Sequence, residues 1–214
     1  MQVLLVHGLG RTPASLWGLS RTLRAAGHRP SFVGYVAAVE RFDAIRARVR
    51  RRLEAAAATG IPYAAVGHSL GGLLVRSALS DWPAGLPLPV RLVMLGTPNQ
   101  SPRLARRLQR FWPYRVALGE AGQVLARPAF FAELPALPVP GTIVAGVRGL
   151  GGRWSPFGDE PNDGIVARSE TLPCEGVPVV EVPAAHTFLM DHPAVRRIVT
   201  EALRDAVDAR GETR

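Results

Sequence analysis

The chain alternates short apolar runs with segments of helical period along its whole length, and few folds accept that pattern. The runs are Val3 to Val6, Ser31 to Val36, Tyr63 to Val66, Val90 to Leu95, Thr142 to Val147 and Val177 to Val182. Parallel strands cannot be joined by tight turns. Each needs a crossover, usually a helix, so the alternation predicts a mostly parallel sheet wrapped by helices. The runs are apolar almost throughout rather than at every second residue, which suits strands covered on both faces. About six strands are expected, in an α/β fold with helices on both sides.

The helical segments carry their own signals. Leu16, Leu19 and Leu23 fall three and four apart, and Gly27 closes that element as a C-cap. Phe42, Ile45, Val49 and Leu53 mark a second helix, whose Arg46, Arg48, Arg50, Arg51 and Arg52 read as a solvated face. Leu70 to Leu79 form a third. Pro193 suits a first helical turn, and Val195, Ile198, Ala202 and Val207 give the last helix an apolar stripe. Residues after Ala209 are expected to fray.

One stretch, residues 98–140, departs from the alternation. Leu104, Leu108, Phe111 and Trp112 trace one face of a basic helix, and a second helical segment is expected from Val116 to Ala126. Pro128, Pro135, Pro138 and Pro140 then break the chain. No repeat or linker composition interrupts the sequence. It reads as one domain over 1–214 with a cap-like insertion at about 98–140, a length that one domain accommodates.

Charge and cysteine content narrow the setting. The formal net charge is +9, and every one of the 26 basic residues is an arginine. Such a charge permits an anionic partner. The arginines are nevertheless spread along helix faces without interleaved aromatics, which argues against nucleic acid. No run approaches the roughly 18 apolar residues of a membrane span. The absence of a leader segment points to a cytoplasmic protein. Cys174 is the single cysteine, so no internal disulfide is expected, and it reads as a loop or core residue.

The chemistry concentrates in Gly67-His68-Ser69-Leu70-Gly71, which follows the strand ending at Val66 and opens the helix at Leu70. A sharp strand-to-helix turn strains the central residue and pushes its hydroxyl out over the sheet edge. Gly67 and Gly71 leave room for neighbouring backbone, and the helix N-terminus aims free amides at the reacting oxygen. The alternative, a phosphate-binding turn, would need glycine spacing or a lysine that this segment lacks. Nothing in the pattern calls for a cofactor or a metal. Ser69 is therefore the candidate nucleophile.

A serine hydroxyl needs a base. His7 sits in the turn after the first strand, and His28 follows a helix end. His68 lies inside the turn, where it cannot readily face Ser69. His192 sits at a helix start, where capping explains it. His186, in the loop after the strand ending at Val182, falls on the sheet edge where catalytic groups of α/β sheets gather. The base in turn needs a carboxylate to hold its tautomer. Asp163 lies on a loop at the same edge, with Asp159 and Glu160 as local rivals and Asp191 better suited to a helix start. Acyl transfer also needs donors for a developing oxyanion. The Leu70 amide and the Leu9 amide of His7-Gly8-Leu9-Gly10 are the candidates.

These segments, with Gly96-Thr97-Pro98-Asn99, Asn162-Asp163-Gly164-Ile165-Val166 and Ala185-His186-Thr187, resemble the bacterial esterase/lipase group of α/β-hydrolases over nearly the whole chain. The resemblance implies the α/β-hydrolase fold, the triad Ser69, Asp163 and His186, and oxyanion donors Leu9 and Leu70. In the larger family two further strands precede the one leading to His7-Gly8, so the sheet reads as trimmed to six strands. The smallest lipases have almost no lid, whereas about forty residues lie here between Pro98 and Pro140.

The expected activity is hydrolysis of a small-molecule or lipid ester through an acyl-enzyme. An acyltransferase, thioesterase or phospholipid deacylase using the same triad is the alternative, and a non-catalytic binding protein is a third. The basic segment with Arg103, Arg106, Arg107 and Arg110 is either a solvated helix or a surface for peripheral contact with anionic lipid.

Overall fold

A computed structural model describes residues 1–172 and 176–211. Cys174 lies outside the described residues, as does the end of the chain beyond Gly211. Six strands, β1 (Gln2–Val6), β2 (Arg29–Val33), β3 (Tyr63–His68), β4 (Leu92–Leu95), β5 (Gly141–Gly146) and β6 (Val179–Val182), form one sheet in the order β2-β1-β3-β4-β5-β6. Every pairing is parallel.

Alternation along each strand sends side chains to two separate cores. Leu4, Val6, Ala65, Met94 and Ile143 pack on one face, against α2 (Phe42–Ala57) and α3 (Leu70–Ala78). Val3, Leu5, Val66, Val93 and Val144 pack on the other, against α1 (Trp17–Ala25) and α8 (Pro193–Gly211). Both faces are covered, which is why the runs are apolar throughout. The chain leaves β1 toward β2 on one side and returns to β3 on the other. The crevice at the ends of β1 and β3 is thus the switch point where α/β sheets place their ligands.

Several spans differ from the expected ones, and the central strand β4 starts at Leu92 rather than Val90. β2 starts at Arg29 and stops at Val33 rather than Val36, and β6 starts at Val179 with Val180 and Glu181 exposed. An edge strand is covered less completely than a central one, so apolar content marks its ends poorly.

The segment 98–140 also differs. The face traced through Leu104, Leu108, Phe111 and Trp112 belongs to two helices, because α4 (Arg103–Leu108) ends before Phe111 and α5 (Trp112–Leu125) begins there. Phe111 and Trp112 are exposed rather than packed. Pro113 explains the break, since proline suits a first helical turn and disrupts an interior one. Gly119 bends α5 at φ 57°. Pro128 likewise opens a short helix, α6 (Pro128–Ala132), instead of ending structure. One more short helix, α7 (Arg168–Thr171), lies between β5 and β6.

In α8 the buried stripe is Val195, Val199, Ala202, Leu203 and Ala206, while Val207 is exposed. The helix also runs on through Gly211, past the expected fraying point. The arginine face of α2 is not merely solvated: Arg46 and Arg50 both pair with Asp81 in the turn after α3, tying α2 to that turn. No helix among the described residues is long and apolar enough to cross a membrane.

Candidate active site

Ser69 stands between β3 and α3 with φ 52° and ψ −122°, and it is the only non-glycine described residue at positive φ. Such a conformation costs on the order of 1–3 kcal/mol and persists only where its surroundings enforce it. Here the Ser69 N–H donates to the Leu95 carbonyl at 2.8 Å, and the flanking glycines remove all slack. A Cβ on Gly71 would stand 2.1 Å from the Val6 carbonyl oxygen, and one on Gly67 would stand 2.3 Å from the Gly72 nitrogen. One on Gly8 would meet His68 Nδ1 at 2.8 Å. The strand, the turn and the loop after β1 therefore close on one another backbone to backbone.

Asp163 and His186 meet on the same edge. His186 follows β6 and starts a 3-10 turn through Asp191. Its Nδ1 lies 2.6 Å from Asp163 Oδ2. A carboxylate only accepts, so Nδ1 carries a proton, and in the neutral imidazole the lone pair is then on Nε2. The other carboxylate oxygen, Oδ1, accepts from the N–H groups of Ile165 (3.0 Å) and Val166 (2.7 Å). The His186 N–H donates to the Asp163 carbonyl at 2.9 Å, so the two residues are joined through backbone as well. Both are buried. Gly96, at φ 56°, lies under the pair; a Cβ there would be 3.1 Å from His186 Nδ1.

Ser69, His68, His186 and Leu9 line one cavity of about 270 Å³, roofed by Leu104 and Leu108 of α4 and by Leu118 and Leu125 of α5. A larger groove of about 850 Å³ runs over the outer side of α4, but it is lined by arginines, Leu104, Leu108, Phe111 and Pro156 and holds neither serine nor histidine. The candidate site is the smaller cavity. No cluster of His, Cys, Asp or Glu suited to a metal ion occurs among the described residues.

Two further histidines are built into the walls. His68 Nε2 faces the His186 carbonyl oxygen at 3.0 Å and must therefore donate to it. Burial holds His68 well below the ordinary imidazole range, and the neighbouring His186 adds to the effect. Burial also lowers His7, partly offset by its bond to Gly8. His7 Nε2 accepts from the Tyr35 N–H at 3.4 Å, which leaves the proton on Nδ1 to donate to the Gly8 carbonyl at 3.0 Å. Both rings are neutral in the fold, whereas the unfolded chain binds protons near pH 6.5. Their stabilising contribution is complete above that pH and is lost as pH falls toward the lowered folded values. The thermal midpoint is expected to drop between about pH 7 and pH 5; a midpoint that rises on acidification would contradict this.

The Gly8 carbonyl accepts a second bond, from the Arg11 N–H at 3.2 Å. That carbonyl and the Leu9 N–H share one rigid peptide plane and point in opposite directions. Pinning the oxygen therefore aims the Leu9 N–H, which has no partner of its own among the described residues. Leu70, as the first residue of α3, has no intrahelical acceptor for its N–H, and its side chain is buried in the core.

A scan against family models finds no match to this chain, and neither does a search of curated proteins. Solved structures do match. The mature lipase BlEst2 of Bacillus licheniformis is similar at a TM-score of 0.70 and 19% identity, over 88% of this chain and 86% of that one. The phospholipase PlaB of Legionella pneumophila gives 0.75 at 17% identity, over 98% of this chain and 61% of that one. An extracellular alpha/beta-hydrolase of a Paenibacillus species gives 0.61 at 15%, over 96% and 98%. The chain has the α/β-hydrolase fold.

Within this α/β-hydrolase fold, the residues singled out in the sequence fall on one edge of the sheet. Ser69, His186 and Leu9 line the cavity, and Asp163 stands behind His186. Of the rival carboxylates, Asp159 is exposed and Glu160 is engaged by Arg103. Burial raises the Glu160 carboxyl, but the Arg103 and Ser169 donors outweigh it and leave the group lowered. Asp191 pairs with Arg196, and His192 Nδ1 accepts from the Ala194 N–H at the start of α8. Tyr35 escaped the sequence reading. It stacks on His7 at 4.1 Å, and its hydroxyl donates to the His7 carbonyl at 2.6 Å. No motif marks it, because its role exists only once β2 lies beside β1.

Proposed function

We propose that the protein is a serine hydrolase of carboxylic esters, with Ser69 as nucleophile, His186 as general base and acid, Asp163 as the carboxylate behind it, and the Leu9 and Leu70 amides as oxyanion donors. The observation that carries the reading is the strained Ser69 in a cavity shared with the lone pair of a carboxylate-held imidazole. Ser69 Oγ attacks the ester carbonyl while His186 Nε2 takes its proton. The carbonyl oxygen becomes an oxyanion held by the two amides. The C–O bond then breaks, and His186 Nε2–H gives its proton to the departing alkoxide. Water repeats the sequence on the acyl-enzyme, with His186 again taking and returning the proton. Asp163 keeps Nδ1 protonated and stabilises the imidazolium in both halves.

A fluorophosphonate probe tests the reading directly. It is expected to label the wild-type chain at Ser69 and to leave Ser69→Ala unlabelled; labelling of both, or of neither, would refute it. The same machinery would serve a thioester or an acyl acceptor other than water, so hydrolysis of oxygen esters is to be compared with both.

Tyr35 enters this mechanism as a positioning residue. Its hydroxyl and N–H hold His7, His7 holds the Gly8 carbonyl, and that carbonyl aims the Leu9 amide. Outright loss of an oxyanion donor costs about 10²–10³ in kcat. Tyr35→Phe only loosens one and is expected to lower kcat by about tenfold, with KM nearly unchanged. An equal rise in KM with kcat intact would assign Tyr35 to substrate binding instead.

A further inference from the structure

The mechanism leaves the outer side of the site unexplained. In a parallel sheet all strands end at one edge, so the segments that follow them gather there. Trp17, Phe111, Trp112, Leu150, Trp154 and Phe188 all lie on such segments, and all are more than half exposed. The other exposed large apolar side chains among the described residues are Val36, Val39, Ile61, Val116, Ile165, Val180 and Val207. Exposed apolar groups scattered singly need no explanation, but a contiguous set marks a surface that meets another phase or partner; here Phe111 lines the outer groove with Pro156, which also lines a hollow with Leu150 and Trp154.

The charge on the same side is equally uneven. Residues 101–119 hold five arginines and no acidic residue. Arg103 is engaged by Glu160 and Glu170. Arg106, Arg107, Arg110 and Arg115 are exposed and have no ion-pair partner among the described residues. Arg106, Arg107 and Arg110 line the outer groove beside Phe111, while Leu104 and Leu108 of the same helix also roof the Ser69 cavity. Leu104 and Leu108 thus stand between the Ser69 cavity and a groove of guanidinium groups without ion-pair partners among the described residues, with Phe111 in that groove and Trp112 exposed next to it in the chain. Cationic groups with projecting aromatic side chains match an anionic lipid surface, where arginine meets headgroup phosphate and the rings enter the boundary with the acyl chains.

We infer that the C-terminal edge of the sheet docks on an anionic lipid bilayer through Arg106, Arg107, Arg110, Phe111 and Trp112, which sets the Ser69 cavity against the membrane. As a statement about binding this stands alone. As a statement about substrate, esters presented at an anionic lipid surface, it rests on the ester-hydrolase reading.

The test is co-sedimentation of the full Ser69→Ala chain with vesicles of phosphatidylcholine alone and of phosphatidylcholine mixed with phosphatidylglycerol. Binding to the mixed vesicles, weakened by salt and much weaker on the neutral ones, is expected. Replacing Arg106, Arg107 and Arg110 together by glutamine should weaken it about a hundredfold, at roughly fivefold per arginine. Replacing Phe111 and Trp112 together by serine should weaken it about tenfold or more. Thermal midpoints equal to that of the parent show that the variants fold. No binding to the mixed vesicles, equal binding to both kinds, or unchanged binding by either variant overturns the inference, as does tighter binding to duplex DNA. The two readings fail separately. Fluorophosphonate labelling of the wild type without vesicle binding removes the docking surface alone, whereas vesicle binding without labelling removes the hydrolase alone.

Discussion

Ser69→Ala is expected to lower kcat for a chromogenic acyl ester by about 10⁴- to 10⁶-fold, the range seen when the nucleophile of a serine hydrolase is removed. KM and the thermal midpoint should barely move. The Ser69 hydroxyl makes no hydrogen bond with the described residues, so its loss leaves no buried partner unsatisfied. Alanine keeps the same Cβ at φ 52°, so the backbone strain is unchanged. Residual turnover would come from the oxyanion donors and substrate binding alone. Ser69→Gly makes the complementary point. Glycine accepts positive φ freely, so this variant should be equally inactive yet more stable, by on the order of 1 kcal/mol. Such a gain would show that the strain at position 69 is kept for something other than stability, as the nucleophile reading requires. Turnover retained by Ser69→Ala would end the assignment of Ser69 as nucleophile.

The sequence carried the sheet and the positions of the candidate residues because both rest on local, strongly patterned signals. Central strands buried on both faces are apolar throughout, and the glycines at 67 and 71 are demanded by backbone approaching within a few ångströms. Edge strands were less legible, since partial exposure blurs their ends. The α4–α5 junction was misread because the apolar spacing from Leu104 to Trp112 continues across a break that Pro113 imposes. That proline was the available signal, as Pro128 was for α6. The second layer of the site was not legible. Tyr35 reaches His7 across 28 residues, and His68 reaches the His186 carbonyl across 118. Those bonds follow from strand order, which no local pattern encodes.

Asp163 separates two effects that a single substitution usually confounds. Its Oδ2 faces His186 Nδ1, while Oδ1 accepts two backbone N–H groups of its own turn. Asp163→Asn is expected to keep the turn, because an amide oxygen can still accept from Ile165 and Val166. That choice forces the amide NH₂ toward His186 Nδ1. A donor there selects the tautomer with Nδ1 as acceptor and the proton on Nε2, so the imidazole can no longer take the proton of Ser69. A fall in kcat of about 10⁴ follows, with a nearly native thermal midpoint. Asp163→Ala removes the tautomer control and also strands the two amides, Val166 being buried. An unsatisfied buried donor costs about 1–3 kcal/mol, so this variant should lose activity and stability together. Measuring kcat and the midpoint on both variants distinguishes the roles. If Asp163→Asn destabilised the fold as much as Asp163→Ala does, Asp163 would be a turn carboxylate first, and the orientation of His186 would have to come from its backbone bond to residue 163 and from His68.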